Sequence, residues 1–499
     1  MTGGHGKAEG PPALYEILEG IKEMVINFDG HMSIGDVVSV ARDHVPVKVA
    51  PAVLDAISRA HVVAQELSKR IPTYGRTTGV GANRTVDVDH ADQEHGLRLL
   101  RSHAIDAGDP LPAATVRAML AVRLSQLSVP GSGIRPDVLP ALAKMLNADA
   151  LPQVLEFGSV GTADLAGLAA VALALMGERP TSSPLPPMQP WGSDSALPFM
   201  SSGSLTLGRA CLVLKDLRDL LDASAAVFSL GFVGLRGNRS PFSVAAADAG
   251  ATPRLSEVCE VLRQYLGTRG ESARIQDPYA LRAFATTLAP VYDALDQLDQ
   301  LVSRLINTAQ ENPLFIDSEV VHHAGFHQAA LGLKADALAM ALAAQTPLAV
   351  SRIRLMSEPD FTGLRPFLAS ETVGASGIMM VEYVAGAAVG ELYACAHPSS
   401  LTTVVLSRGI EEDASFAPVA IGQLERAVRA EKVLIASELL ISTRMLNQQG
   451  VKLSDLPSDV LRRVWNIVAA LPSGDEDRDL REDLIIAQQL LTPLASVGR

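Results

Sequence analysis

Four polar, turn-like segments interrupt the apolar stretches of this sequence and carry side chains that could transfer protons or bind charged groups. Loops of this kind on a helical scaffold are where binding and catalytic sites are usually built. Each segment also has a purely structural interpretation, as an exposed tyrosine, a surface ion pair or a solvated helix end. The four segments are Thr73-Tyr74-Gly75, Gln276-Asp277-Pro278-Tyr279 with Arg282, Gly325-Phe326-His327 and Glu411-Glu412-Asp413.

Three histidines beside the third segment, His322, His323 and His327, raise the question of a metal site. His323 and His327 are four positions apart and would share one face of a helix, a spacing that zinc ligands often have. No third ligand of the usual kind lies near them in the sequence. We therefore predict no metal site.

The composition indicates that helices position these segments. Hydrophobic residues make up 48% of the 499-residue chain and aromatic residues only 4%, so the core is mostly Ala, Leu, Val and Ile. Ala and Leu are strong helix formers. Apolar residues recur at helical spacing, for example from Val291 to Leu305, and no stretch alternates as a strand does. The predicted fold is all-α: a long helical bundle with a smaller N-terminal region that carries the Tyr74 loop.

Composition also suggests the boundaries of these regions. The start of the chain, MTGGHGKAEGPP, predicts a disordered tail over residues 1–12. Residues 179–198 contain six prolines and four serines, which is typical of a linker or surface loop. We therefore predict an N-terminal region over 13–190 and a long-helix bundle with C-terminal helices over 191–499.

Charge and hydropathy argue against several classes of partner. The net charge of −13, from 42 basic and 55 acidic residues, does not suit nucleic acid. The apolar stretch Leu165–Gly177 is too short to span about 30 Å of hydrocarbon, and the stretch Gly377–Ala396 contains two glutamates. We therefore predict no membrane association. Three scattered cysteines favour a cytoplasmic location. The mean hydropathy of +0.21 indicates surface buried between subunits.

Eight short motifs follow one another between about Ile34 and Gly422. They are TYGRTTGVG, RSHAIDAG, LSVPGSGIR, GNRSPF, IQDPYALR, ENPL, GFH and AHPSS. Their order and spacing resemble the aromatic amino acid ammonia-lyase family, and particularly its histidine ammonia-lyases. One such match would be noise, whereas eight in family order are specific. The resemblance implies a mainly α homotetramer in which several subunits contribute to each active site.

The family's chemistry depends on an electrophilic methylideneimidazolone ring, which forms from Ala-Ser-Gly just before an Asp-Leu-Ala helix start. This chain has Gly161-Thr162-Ala163 before Asp164-Leu165-Ala166. Ring closure needs a serine that loses water and a tightly bent turn, which glycine permits and a Cβ obstructs. We therefore predict that the ring is absent. A literal Ala375-Ser376-Gly377 opens a later apolar helix, and we interpret it as a turn that caps this helix.

The resemblance also implies roles for individual residues. Tyr74 takes the position of the family's base, and could act as one if a neighbouring cation lowered its pKa from about 10. Arg282 matches an arginine that grips the substrate carboxylate, and Tyr279 could donate to a developing oxyanion. The other predicted site residues are His103, Ser202, Gln276, Phe326 and Glu411, with Ser202 standing where the family has an asparagine.

These observations favour an enzyme without the ring, which performs acid/base elimination, isomerisation or a related rearrangement on a small carboxylate or amino-acid-derived substrate. Two alternatives stay open. The chain could be a catalytically inactive homologue that keeps the pocket to bind a ligand or partner. Less in keeping with the sequence, it could be a true aromatic amino acid ammonia-lyase with an aberrant ring from Gly161-Thr162-Ala163.

Overall fold

A computed structural model describes residues 25–89, 92, 94–250, 252–267 and 271–498. The predicted tail at 1–12 lies outside these residues. Eighteen α-helices are described. They are α1 Ile34–Arg42, α2 Pro51–Ser68, α3 His95–His103, α4 Ala113–Leu127, α5 Val138–Asn147, α6 Leu165–Leu175, α7 Ala196–Met200, α8 Ser204–Gly234, α9 Val244–Ala249, α10 Pro253–Leu266, α11 Tyr279–Arg282, α12 Phe284–Leu305, α13 Ala329–Ser357, α14 Pro359–Thr362, α15 Met379–Cys395, α16 Ala417–Gln448, α17 Asp459–Val468 and α18 Arg481–Ala495.

Six strands of three or four residues accompany the helices and form three two-stranded sheets. They are β1 Ile26–Phe28, β2 Val47–Val49, β3 Ala107–Pro110, β4 Leu155–Phe157, β5 Leu314–Ile316 and β6 Glu319–Val321. The pair β1–β2 is parallel, and the pairs β3–β4 and β5–β6 are antiparallel. The all-α prediction is confirmed at the level of fold class. Strands this short contain too few residues to show the alternation that marks a strand in a sequence.

The first of two compact units comprises Met1–Leu212, Val302–Gln328 and Val404–Ala414. Its core is formed by α4, buried at every position from Thr115 to Leu127, and by α6. Helix α8 approaches α4 so closely that a Cβ at Gly208 would lie 2.7 Å from the Met119 nitrogen. The predicted boundary between 190 and 191 falls inside this unit. The reason is that the segment after it packs on α4, where Arg123 donates to the Phe199 carbonyl oxygen at 2.8 Å.

The second unit comprises Val213–Leu301, Ala329–Thr403 and Ser415–Arg499. Its longest helices are α13 and α16, and α15 packs against both. A buried ion pair joins α13 to α16, with the Arg352 Nε 2.5 Å from the Glu438 Oε1. The Arg352 guanidinium also lies 5.0 Å from the ring centroid of Phe284, which stacks on Phe228. The predicted long-helix bundle is therefore present in this unit, where α13, α15 and α16 pack on one another.

One helical stretch, Ala196–Gly234, is long and apolar enough to cross a membrane by length and composition. Of its most apolar window, 94% is buried inside the protein. Long apolar helices that are buried in this way are common in the cores of globular proteins.

Candidate active site

The Tyr74 loop follows α2 and is held in shape by its own backbone and threonines. The Thr73 N–H donates to the Thr77 hydroxyl at 2.8 Å, and the Thr77 N–H donates back to the Thr73 carbonyl at 2.9 Å. Gly75 has φ +71°, and a Cβ there would lie 2.1 Å from the Leu197 Cδ2. Only glycine meets both conditions, which explains why the loop needs it.

Arg76 anchors this loop from below. Its side chain is buried, its Nη2 donates to the carbonyl oxygens of Ser132 and Gly133 at 3.0 Å each, and its guanidinium lies 4.5 Å from the Phe315 ring centroid. Burial lowers the pKa of Arg76 to about 10. The arginine thus ties the Tyr74 loop to the VPGSGIR turn, so two of the sequence motifs form one structural element.

Tyr74 points its phenol back at its own loop. The Gly81 N–H donates to the phenolic oxygen at 2.7 Å. Burial raises the pKa of Tyr74, and the charge of Glu411 raises it further, whereas the Gly81 N–H and the charge of Arg84 act in the opposite direction. The role of Tyr74 as a base depends on a neighbouring cation that lowers its pKa, and the overall direction is instead upward. The cation is present in Arg84, but desolvation of the phenolate outweighs it.

The Tyr74 loop forms one wall of a cavity of about 750 Å³ within the first unit. The predicted site residues Tyr74, His103, Phe326 and Glu411 all line it, although they come from four distant parts of the sequence. The other lining residues are Val80, Gly81, Ala82, Asn83, Arg84, Thr162, Ala163, Leu165, Leu197, Ser201, Asn312, His322, Ala324, His327, Ser407, Ile410, Glu412 and Asp413.

Three carboxylate side chains line the cavity, and their charge is opposite to that of Arg84. They belong to Glu411, Glu412 and Asp413. Asp413 lies 3.8 Å from the Nε2 of His327. The Leu406 N–H donates to the Glu411 carbonyl at 2.8 Å, which closes the turn that presents these carboxylates. In the described part of the chain, no group of three or more His, Cys, Asp or Glu side chains is arranged to hold a metal ion.

The turn where the family forms its ring also borders this cavity. Gly161 and Ala163 both have positive φ, at +92° and +75°, and the Thr162 backbone pairs with that of His327 in an antiparallel bridge. The Ser159 hydroxyl donates to the Ala163 carbonyl at 3.1 Å. Thr162 and Ala163 line the cavity, so the position expected for the ring borders the same cavity as Tyr74.

The residues of this turn do not fit the ring. The family's ring forms from Ala-Ser-Gly, and here a threonine stands between Gly161 and Ala163. Ala163 keeps a Cβ in a left-handed conformation that glycine adopts far more readily, and its side chain is 95% buried. The Thr162 backbone is already engaged with His327. The residue types of this turn therefore differ from the Ala-Ser-Gly from which the family's ring forms.

Asp164 fixes the turn to α8. Its carboxylate accepts from the Thr206 N–H at 2.8 Å and from the Thr206 hydroxyl at 3.0 Å, and its own N–H donates to the Ser202 carbonyl at 2.7 Å. Burial raises the pKa of Asp164. The side chain thus serves as a structural link, which agrees with its predicted place at a helix start.

The prediction for Ser202 is wrong. Ser202 is fully buried, and its hydroxyl donates to the Oε1 of Gln126 rather than into the cavity. The preceding residue, Ser201, lines the cavity instead. The two adjacent serines follow the end of α7, where Ser201 leaves the helical conformation with ψ 65°, and one faces the cavity while the other faces the core.

Three predicted site residues, Gln276, Tyr279 and Arg282, belong to the second unit and form a cluster of their own. With its amide oxygen facing Arg282, Gln276 accepts from the two Nη atoms at 3.0 and 2.9 Å, and the guanidinium lies 4.2 Å from the Tyr279 ring centroid. Tyr279 is 65% exposed. Below the cluster, Asp277 is buried, pairs with the Arg274 Nε at 2.7 Å and accepts from the Asn238 N–H.

Ala375-Ser376-Gly377 lies in the second unit just before α15, but the N-cap of this helix is Ile378, and no side chain makes a capping hydrogen bond there. The backbone N–H groups of Ser376 and Gly377 each donate to the Asp477 carboxylate at 2.8 Å. These contacts lower the pKa of Asp477. The turn is therefore occupied by a carboxylate that holds two amides in place.

Sequence reasoning missed several residues of the cavity wall, chiefly His322, Asn312, Ser201 and Arg84. His322 lies five residues before His327, and its Nε2 accepts from the Tyr74 N–H at 3.3 Å. The available signal was that Asn312 belongs to the ENPL motif and that His322 precedes the GFH motif by three residues. Their neighbours His323 and Glu311 are turned to each other, with the His323 Nε2 2.5 Å from the Glu311 carbonyl oxygen.

Comparisons with known proteins indicate the family of this chain. A model of the aromatic amino acid lyase family matches residues 32–469. The probable histidine ammonia-lyase of Thermoplasma acidophilum is 30% identical over 493 residues, which cover 94% of this chain and 98% of the relative. The histidine ammonia-lyase of Deinococcus radiodurans is 30% identical over 486 residues, which cover 92% and 91%.

Solved structures share the fold. The ergothionase of Treponema denticola matches with a TM-score of 0.86 at 23% identity, over 94% of this chain and 99% of that one. The phenylalanine aminomutase of Pantoea agglomerans matches with a TM-score of 0.87 at 25% identity, over 95% and 100%. From the site's motifs, the fold and these matches together, we conclude that the chain belongs to the aromatic amino acid lyase family.

Proposed function

We propose that this protein is an enzyme of the aromatic amino acid lyase family that works without the methylideneimidazolone ring. It would perform acid/base elimination, isomerisation or a related rearrangement on a small carboxylate or amino-acid-derived substrate. The observation that carries this proposal is the wall of one cavity: the Thr162-Ala163 turn lacks what the ring needs, while Tyr74, His103 and Glu411 are retained around it.

Tyr74 is the proposed base. Its phenolic oxygen is oriented by the Gly81 N–H, a contact that stabilises the phenolate more than the phenol. Because burial raises the pKa of Tyr74, the deprotonated form is scarce at neutral pH, and a bound cationic substrate or an additional cation would have to increase it. Arg84 already acts in this direction. The carboxylates of Glu411, Glu412 and Asp413, which also line the cavity, favour a substrate amine.

His103 is the proposed contact for the substrate's side chain. Its Nδ1 lies 2.8 Å from the Leu99 carbonyl oxygen. A carbonyl oxygen only accepts, so this bond places the ring proton on Nδ1 and leaves Nε2 as an acceptor. An imidazole held in one tautomer can select between substrate side chains that donate a hydrogen bond and those that do not.

Arg282 is the proposed carboxylate clamp, and Tyr279 the proposed donor to a developing oxyanion. Gln276 holds the guanidinium in one orientation, and the Arg282 Nε is buried without a hydrogen-bond partner among the described residues. A guanidinium fixed in this way has little mobility left to lose, so the entropic cost of binding a carboxylate is small. We propose that this cluster meets the Tyr74 cavity of another protomer in a homotetramer.

An exposed apolar face supports the homotetramer. Helix α15 leaves Met380, Tyr383 and Tyr393 more than half exposed, and added Cβ atoms at Gly386 and Gly390 would meet open space. Single apolar residues on a surface are ordinary, whereas several on one face usually mark an interface. In a closed symmetric assembly, a second copy of the chain would cover this face of α15.

The two alternatives each have one observation in their favour. A binding protein without activity is favoured by the raised pKa of Tyr74. A ring-dependent ammonia-lyase is favoured by relatives named histidine ammonia-lyase at 30% identity. The deciding experiment incubates the purified protein with L-histidine, L-phenylalanine, L-tyrosine and their β-amino isomers, and follows ammonia release and isomer exchange. Isomerisation or elimination by a protein of unmodified mass supports the proposal, and ammonia release that depends on a dehydrated turn contradicts it.

A further inference from the structure

Two adjacent histidines, His322 and His323, lie between β6 and α13 and use their rings in different ways. The His323 ring is engaged at both nitrogens: the Gly325 N–H donates to Nδ1 at 2.9 Å, and Nε2 lies 2.5 Å from the Glu311 carbonyl oxygen. The His323 N–H also donates to the Asn312 Oδ1 at 2.9 Å. The contacts with Glu311 and Asn312 fix residues 322–327, the histidine loop, to the segment Glu311–Asn312, and the Gly325 contact lies within this loop.

His322 turns the other way, into the cavity that Tyr74 lines. Its Nε2 lies 3.3 Å from the Tyr74 backbone nitrogen, across 248 residues of sequence. A backbone N–H can only donate, so Nε2 must be the acceptor and the neutral ring carries its proton on Nδ1. Among the described residues, no hydrogen-bond partner contacts that Nδ1. The ring is therefore a fixed acceptor for Tyr74 and leaves one donor for the cavity.

Tyr74 is consequently held at two points. His322 receives its backbone N–H, and the Gly81 N–H reaches its phenolic oxygen. The loop's internal bonds between Thr73 and Thr77 shape the turn but do not attach it to the histidine loop. His322 supplies that attachment, and His323 makes it rigid by joining the histidine loop to Glu311.

We propose that His322 is a positioning residue, which fixes the main chain of Tyr74 at the cavity by accepting its N–H. The inference rests on the proposed function only in that it takes Tyr74 to be the base. A displacement of about 1 Å at a reacting group can lower a rate by about a hundredfold, so a single bond to the base's main chain is sufficient to matter.

Hydrogen exchange of the Tyr74 amide tests the bond itself and needs no substrate. His322→Ala removes the acceptor. His322→Gln retains an amide oxygen that reaches as far from the main chain as Nε2, and His322→Asn retains a donor only at the position of Nδ1. The exposed His31, which is outside the cavity lining, supplies the control His31→Gln.

We expect the Tyr74 amide to exchange about fivefold faster in the Ala and Asn variants, which is the factor for one ordinary hydrogen bond. The Gln variant and the control should match the wild type. The amides of Thr73 and Thr77, which bond to each other's residue, are internal references and should not change. Unchanged exchange in His322→Ala, or equally fast exchange in His322→Gln, would overturn the proposal.

Turnover gives a second measurement once the screen above has supplied a substrate. We expect His322→Ala to lower kcat at least about tenfold with KM changed less than about twofold, and His322→Gln to restore kcat. A kcat unaffected by His322→Ala would also overturn the inference. If the exchange result fails in an active enzyme, the proposed function stands without it. If exchange behaves as expected and no substrate turns over, only the proposed function fails.

Discussion

The phenolic oxygen of Tyr74 accepts a hydrogen bond from the backbone N–H of Gly81 across 2.7 Å. Both residues belong to one loop, and Gly81 reaches this position with φ +55°, a conformation that favours glycine. Beside it, the Ala82 N–H donates to the Ser407 hydroxyl at 3.0 Å, which ties the loop to the turn that presents Glu411. The bond orients the tyrosine and lowers the pKa of its phenol, but burial, which raises this pKa, outweighs it.

The acidity of Tyr74 should respond in opposite directions to its two charged neighbours. Glu411 raises the pKa of Tyr74 and Arg84 lowers it. Glu411→Gln should therefore move the Tyr74 titration to lower pH, and Arg84→Gln should move it to higher pH. Since a base must be deprotonated, the rate should increase with pH towards this pKa. The measurement is the phenolate absorbance difference between each variant and its Tyr74→Phe counterpart, and shifts of the same sign in both variants would contradict the assignment.

Tyr74→Phe should abolish turnover and retain ligand binding. The substitution removes the proton acceptor and the contact with Gly81 but leaves the aromatic ring's packing. Turnover by the wild type and its loss in this variant separate an enzyme from a binding homologue. A variant as active as the wild type would show that Tyr74 is not the base.

The turn at Thr162 should remain uncyclised. We expect the intact mass to equal that of the sequence, without the loss of two water molecules that ring formation causes, and the near-ultraviolet absorbance of the ring to be missing. The matched control is Thr162→Val, which cannot lose a side-chain water. A wild type lighter by two waters, with the valine variant at full mass, would identify an aberrant ring and favour the conventional lyase.

Arg282→Met should weaken binding of a small carboxylate such as cinnamate or urocanate by about 1.5–3 kcal/mol, the range for hydrogen bonds to a charged group. The variant retains much of the apolar stem and loses the guanidinium, which also lies 4.2 Å from the Tyr279 ring centroid. Calorimetric titration measures the change. The comparison variant is Arg365→Met, at an exposed arginine that pairs with the exposed Glu371. Equal affinities in both variants would remove Arg282 from the site.

The assembly should be about four times 52.6 kDa by light scattering. Tyr383→Glu places a charge on the exposed apolar face of α15 and should yield smaller species, because an unpaired charge is costly to bury in an interface. Asp43→Lys, a charge change at an exposed position of the first unit, is the control. A monomeric wild type would contradict the proposal, because the Arg282 cluster of one protomer could not then meet the Tyr74 cavity of another.

Glu431 should make stability depend on pH. It lies on the buried face of α16 and contacts Gln345 of α13, its Oε2 has no hydrogen-bond partner among the described residues, and burial raises its pKa from 4.5 to about 7. The folded state therefore holds this proton more tightly than the unfolded state, and the stability contributed by Glu431 should fall as the pH rises from about 4.5 to about 7. Glu431→Gln should flatten this dependence.

The measurement for Glu431 is urea unfolding at pH 5 and pH 8. We expect Glu431→Gln to be more stable than the wild type at pH 8 by about 1–3 kcal/mol, and similar to it at pH 5, because the glutamine can keep the contact that Gln345 makes at 2.7 Å. The reverse order at the two pH values would show that Arg352 stabilises the Glu431 carboxylate more than burial destabilises it.

The sequence by itself determined the helical class of the fold and the chemistry available to the site. Long runs such as Val291–Leu305 repeat at the helical period because one side of a helix must be apolar to be buried, and this requirement is readable without coordinates. Tyr74, His103, Phe326 and Glu411 were named from motif order and line one cavity. The three-residue strands escaped prediction because such short elements depend on contacts with distant partners.

Only the tertiary structure decided which neighbour faces the cavity and what its environment does to it. Ser201 and Ser202 are equivalent in sequence, and the packing of α7 on Arg123 turns one to the cavity and the other to Gln126. His322 meets Tyr74 across 248 residues, which no local pattern encodes. The direction of the Tyr74 pKa likewise depends on burial, a property of the folded chain as a whole, since desolvation is set by every group that excludes water from the phenol.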